Sequence, residues 1–296
     1  MNRELVKDLI KYAPSQAIPA LMGLVAVPIL TRLFLPVDYG NYVLVMATIS
    51  VLSTIAGWLG ISVIRFYPEY ERNGRLDDLF DTIAGCLFVT VTALAVIYSG
   101  SLFLAKAAIG PQLYRMMFIG TVVFVLTPTF EVLLNFLRAK RWAGWYSGFS
   151  IWRNAAGLGI GIGLVLSFGL GIEGLLWGSA VSMALVLPLL WKFAIGRFPR
   201  IANFSAELTK EMAGYSFPLV VGNLAAWILS LSDRYILEFF RGAHEMGIYS
   251  ASYAVSEKSI LLLLSMFMLA WRPISIQVWE KEGEQRSRAF VSSVTR

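Results

Sequence analysis

Glu257 and Lys258 sit side by side well inside a long apolar run. At helical rise they lie roughly 15 Å from its start. A charge deep in an apolar segment is costly, and it marks a ligand site, an ion path or a structural ion pair. A lysine there suits an anion, and a glutamate suits a proton or a counter-charge. Adjacent helical positions diverge by about 100°, so the two need not pair with each other. Arg153-Asn154 is a second polar pair inside an apolar run, from where the arginine can also snorkel to an interface. Glu131, Asn135 and Arg138 follow at spacings that place them on one helical face. They form either a proton or polar relay or a buried hydrogen-bonded stripe. Asp233-Arg234 and Arg32 stand near the ends of two further runs, as interfacial anchors or as gate charges that exchange partners. Arg65 and Arg272 at the opposite ends carry the same two readings.

Other chemistries find little support. Cys86 is the single cysteine and His244 the single histidine, so neither an intramolecular disulfide nor a Cys/His metal site is expected. No nucleotide-binding motif or nucleophilic triad is present, and neither a cofactor nor enzymatic catalysis is expected. The net charge of +6 does not require nucleic acid, because the basic residues cluster in short segments between apolar runs.

Those runs are the elements that must position the charges. The chain of 296 residues is 57% hydrophobic and 15% charged, with a mean hydropathy of +0.66. A soluble domain is about a quarter charged. A membrane-crossing helix needs about 20 apolar residues, and eight such spans are predicted, near 13–35, 41–64, 82–105, 114–137, 146–168, 172–195, 213–237 and 247–271. The fold class is therefore an all-α polytopic membrane protein. Eighteen Lys and Arg fall in one alternating set of connections and five in the other. That bias places the N-terminus and the tail after the eighth span in the cytoplasm. Glycines in the fifth span (Gly157, Gly159, Gly161, Gly163) and in the turn after it (Gly169, Gly171, Gly174) predict close helix packing. Trp58 and Trp227, inside spans, are candidates to line a cavity.

The chain also reads as a repeat of itself in one orientation. Gly40-Asn41-Tyr42 is answered by Gly247-Ile248-Tyr249, and Arg65 by Arg272, at a constant offset of 207 residues. Each arginine precedes a charged turn ending in glycine, Glu71-Arg72-Asn73-Gly74 and Glu280-Lys281-Glu282-Gly283. The repeat predicts an N-terminal six-helix bundle over 1–205 and the first two helices of a second bundle, with a cytoplasmic tail, over 206–296. On that reading a complete chain carries at least four more spans.

Pro28-Ile29-Leu30-Thr31-Arg32-Leu33 with Asp38-Tyr39-Gly40-Asn41-Tyr42 resembles the opening of Wzx-like polysaccharide flippases. So do Gly60-Ile61 with Arg65-Phe66-Tyr67, and Ser232-Asp233-Arg234-Tyr235-Ile236-Leu237 with Gly247-Ile248-Tyr249-Ser250. These proteins belong to the multidrug/oligosaccharidyl-lipid/polysaccharide exporter (MOP) superfamily. The resemblance implies two six-helix bundles around a central cavity in the cytoplasmic membrane. It implies a flippase that moves an undecaprenyl-pyrophosphate-linked oligosaccharide by alternating access. A proton or sodium ion as coupling partner, membrane lipids and polysaccharide polymerase or assembly proteins are the other implied partners. Buried Arg and Lys would meet the pyrophosphate, which makes Lys258, Glu257, Arg153, Asn154, Arg65 and Arg272 the substrate-site candidates. Arg32, Asp233, Arg234, Glu131, Asn135 and Arg138 are the gate or relay candidates. A multidrug or small-molecule exporter of the same fold is the alternative, and a non-transporting scaffold of envelope synthesis a further one. A cationic cavity would favour the flippase.

Overall fold

A computed structural model of the protein describes residues 18–19, 21–200 and 203–294, with side chains as far as Ile260 and at 283 and 292. It consists of helices joined by short turns. A short apolar helix, α1 (Leu21–Leu33), is followed by α2 (Pro36–Ala56), α3 (Trp58–Arg72), α4 (Leu76–Ala105), α5 (Pro111–Ala139), α6 (Ala143–Phe168), α7 (Glu173–Ala194) and the long α8 (Ala206–Val294). Six stretches among the described residues are long and apolar enough to cross a membrane. The helix starts and stops follow backbone chemistry. Pro36 and Pro111 open α2 and α5, where a missing N–H costs nothing. Gly169 closes α6 at φ 65°, a left-handed cap that glycine adopts without strain. The seventh and eighth predicted spans are one helix by hydrogen bonding, interrupted at Gly242, where φ is 82° and ψ 173°. That break falls in the polar turn Arg241-Gly242-Ala243-His244-Glu245, where the sequence separates the two spans.

The centre of the assembly is α5. Its Phe124, Phe130 and Phe136 are fully buried, and the helix packs on α2, α3, α4, α6 and α7. The tightest helix pair is α6 with α7. A Cβ on Gly178 would overlap the backbone of Gly161 and lie 2.7 Å from the Gly157 oxygen. Of the glycines in the fifth span, only Gly157 and Gly161 meet α7, whereas Gly159 and Gly163 face open space. The packing face therefore repeats at four residues, as close backbone approach requires.

The first half of α8, up to Gly242, runs antiparallel to α2 and α3. Along it, Ser216 shares a hydrogen bond of 2.8 Å with Ser62, Phe217 stacks on Trp58 at 5.5 Å, and the Tyr235 hydroxyl lies 2.8 Å from Thr48 Oγ1. At the far end two backbones touch. A Cβ on Gly40 would overlap the Ala243 carbonyl oxygen, and one on Gly247 would overlap that of Pro36. Pro36 and Ala243 are separated by the same 207 residues as Gly40 and Gly247. The contact is thus symmetric under the offset seen in the sequence.

The connector between α7 and α8 is riveted to α4. The Asp81 side chain is wholly buried and accepts bonds of 2.9 Å from Arg197 Nη1, the Arg200 amide and Asn203 Nδ2. The Ser205 amide donates to Thr82 Oγ1 at 3.1 Å. Asp81 holds the Arg197 guanidinium above the usual arginine range through their hydrogen bond. At the opposite flank, Lys140 Nζ donates to the Phe193 and Ala194 carbonyls at 3.2 and 2.6 Å. It satisfies the last carbonyls of α7, and burial pushes its pKa down. Arg197→Ala would leave Asp81 short of its charged partner, at a cost of about 1.5 kcal/mol. The expected outcome is a lower thermal midpoint and faster proteolysis within 195–205. An unchanged cleavage pattern would show that the connector is held by other means.

Candidate functional site

Between α1, α2, α5, α6, α7 and the second half of α8 lies a cavity of about 620 Å³. It gathers charges from three distant parts of the chain: Glu131 on α5, Arg153 on α6 and Lys258 on α8. Glu131 and Arg153 form a close ion pair through Oε1 and Nη1. The Arg153 guanidinium also sits 5.6 Å from the centroid of the Phe130 ring, an arrangement that steadies a cation. Both side chains are partly exposed to the cavity, at 28% for Arg153 and 44% for Glu131.

Lys258 reaches the lining beside α1 because the chain reverses at Gly242. Its ammonium lies against Gly23 of α1, where a Cβ would stand 2.9 Å from Lys258 Cε. No salt bridge within 4.0 Å of Lys258 occurs among the described residues, and its charge interacts at longer range with Glu257. The cavity face holds two cations and one anion among these residues. Neutral polar groups complete it. Asn154 lines the wall and donates to the Ser150 carbonyl at 2.8 Å. Ser53 Oγ is buried in the lining without a hydrogen-bond partner among the described residues.

The remaining candidates lie elsewhere. Glu257 is outside the lining. Asn135 turns to α3, where its amide would meet a Cβ on Gly60 at 2.5 Å. Arg138 is exposed, so the three polar residues of that helical face do not form one continuous line. Arg65 is exposed midway along α3, near the rings of Phe66 and Tyr215 at 5.5 and 5.7 Å. Arg32 is exposed at the end of α1. The side chain of Arg272 lies outside the described residues.

Asp233 and Arg234 form a separate cluster near the Gly40–Gly247 contact. Arg234 is buried, with 5% of its surface exposed. It donates to the Ser230 carbonyl at 2.6 Å and lies 5.0 Å from the Tyr253 ring centroid. The Tyr249 hydroxyl donates to Asp233 at 2.5 Å. Trp58 and Trp227 do not line the cavity. Trp58 packs on Phe217, and Trp227 packs on Tyr235.

Two features of the site escaped the sequence reading. The partner of Glu131 is Arg153 on the next helix, a relation that spacing within one helix does not reveal. The aromatic lining comes from Tyr39 and Tyr42 of α2. The signal for them was present in Asp38-Tyr39-Gly40-Asn41-Tyr42, used above only as a marker of resemblance.

The helical fold is similar to that of solved MOP superfamily transporters. An outward-facing multidrug resistance MATE family transporter of that superfamily superposes with a TM-score of 0.64 at 15% identity, over 96% of this chain and 67% of that one. The inward-facing form gives 0.54 at 15% identity, over 95% and 64%. A MOP superfamily transporter from Pyrococcus furiosus with a binding pocket of reverse polarity gives 0.63 at 15% identity, over 96% and 67%. The chain thus spans about two thirds of the length of these structures. No curated protein matches it significantly. The family described as polysaccharide biosynthesis protein matches residues 5–279, and the chain belongs to that family.

Proposed function

We propose that the protein works, within a complete two-bundle transporter, as a flippase for a lipid-linked oligosaccharide bearing a phosphate or pyrophosphate. The observation that carries this reading is Lys258, a cation without a salt bridge among the described residues, which lines a cavity that already holds the Glu131–Arg153 pair. An anion is the ligand that such a surplus of positive charge favours. Tyr39, Tyr42, Asn154 and the Ser53 hydroxyl, which has no partner among the described residues, supply the polar and aromatic groups that saccharides use. Family membership supports a role in polysaccharide synthesis.

In this reading residues 1–205 form the first bundle and 206–296 begin the second. The symmetric contact at Gly40 and Gly247 supports that division. The excess of Lys and Arg on alternate connections supports a cytoplasmic N-terminus, with the Gly40–Gly247 contact at the outer face of the cytoplasmic membrane. Deleting the gene is expected to accumulate lipid-linked saccharide units on the cytoplasmic leaflet, measured by enzymatic labelling of sealed and opened vesicles. An unchanged distribution between leaflets would remove the basis for the flippase reading.

A further inference from the structure

We infer that Glu131 is a built-in counter-ion that occupies Arg153 while the cavity is empty, and that an incoming phosphate must displace it. The inference rests on the functional reading above. It begins from a contrast between two ion pairs in the same chain. Asp81 is wholly buried and accepts from Arg197, Arg200 and Asn203 together. Such a pair is fixed, because both oxygens of the buried carboxylate find donors. Glu131 differs in each respect. Among the described residues its recorded hydrogen bond is the one from Arg153 Nη1. Its side chain is 44% exposed, and the pair lines the cavity. Separating it strands neither charge in apolar packing, since both can be solvated within the cavity.

Arg153 has the properties of a group prepared for exchange. Its guanidinium carries five N–H donors in a plane. Phe130 supports the cation on one side. A phosphate offers more charge and more acceptor oxygens than a carboxylate, and it engages guanidinium forks bidentately. Glu131 therefore sets a threshold. A ligand with one carboxylate gains little by replacing another carboxylate, whereas a pyrophosphate gains charge and bonds. Lys258 in the same lining keeps the cavity attractive to an anion while Arg153 is occupied. On release, Glu131 returns to Arg153, so the empty cavity does not carry both cations uncompensated. Glu131 thus acts on specificity through Arg153.

The test is binding of farnesyl pyrophosphate to the purified full-length protein by titration calorimetry. Glu131→Gln is expected to bind about tenfold more tightly than wild type, equivalent to about 1.4 kcal/mol. Glu131→Ala, which removes the same charge without an amide, should show the same gain, and either variant suffices if the other does not fold. Glu131→Asp keeps the charge and should not gain. In an Arg153→Gln background, removing the Glu131 charge should give a smaller gain than in wild type, because there is no guanidinium left to release; an equal gain would mean that Glu131 acts by general repulsion and overturns the inference. Unchanged or weaker binding by the charge-removing variants overturns the inference, and the functional reading then survives if wild type binds and Lys258→Ala weakens it. If wild type does not bind the pyrophosphate at all, the functional reading fails and the inference with it.

Discussion

Lys258→Ala, made in the complete protein, is expected to lower transport by about 10–100-fold while leaving its amount in the membrane unchanged. The magnitude follows from a lost hydrogen bond to a charged ligand, roughly 1.5–3 kcal/mol, at about 1.4 kcal/mol per tenfold. The structural cost is small for three reasons. Lys258 has no salt bridge among the described residues, so its removal strands no carboxylate within 4.0 Å. It lines a cavity of about 620 Å³, so truncation enlarges an existing space. Its ammonium sits against Gly23, which has no side chain to lose a packing partner. A residue held only for packing would show the reverse pattern, with reduced abundance and normal transport per molecule. Lys258→Arg is a less informative control. It keeps the charge, but the larger planar head must fit against the α1 backbone at Gly23. The measurement is leaflet transfer of a lipid-linked saccharide in reconstituted vesicles, normalised to protein. Wild-type rates in Lys258→Ala would remove this residue from the binding surface.

Some of this was legible in the sequence, for identifiable reasons. Membrane spans are readable because lipid imposes a length of about 20 apolar residues on any helix that crosses it. Arg153 and Lys258 stand out because each interrupts such a run. What the sequence could not supply was rotation of one helix against another. Glu131, Asn135 and Arg138 share a nominal face of α5, yet α5 is surrounded by five other helices. Along its length that face meets Arg153, then Gly60, then the exterior. Asp81 was invisible for a related reason. It lies just ahead of an apolar run and reads as a surface charge, whereas the connector folds over it and supplies three donors. The glycine stripe of α6 divides on the same principle, since only the residues four apart face α7.

Gly247→Ala is expected to disfavour closure of the end where α2 meets α8 by about 100-fold, and Gly40→Ala to do the same. At Gly247 a Cβ would overlap the Pro36 carbonyl oxygen, lie 2.8 Å from the Pro36 carbonyl carbon and 3.2 Å from the Gly40 nitrogen. At Gly40 it would overlap the Ala243 oxygen and lie 3.2 Å from the Gly247 nitrogen. All of these atoms are backbone, so no side-chain rotation can relieve the overlap. The helices must separate, and overpacking of this kind costs up to about 3 kcal/mol, or about 100-fold in a two-state balance. A methyl group costs least where the helices are apart, so each variant should shift the protein toward a state open at this end. Under the proposed topology that opening faces outward. The readout is a single cysteine at Ser53, which lines the cavity, in a background where Cys86, the natural cysteine, is serine. Labelling from outside by a membrane-impermeant maleimide should rise in both glycine variants, and transport should fall, because the cycle must pass through the closed form. Gly159→Ala and Gly163→Ala, where the added methyl meets open space, should change neither quantity. If Gly40→Ala and Gly247→Ala label and transport like wild type, the backbone contact does not control access to the cavity.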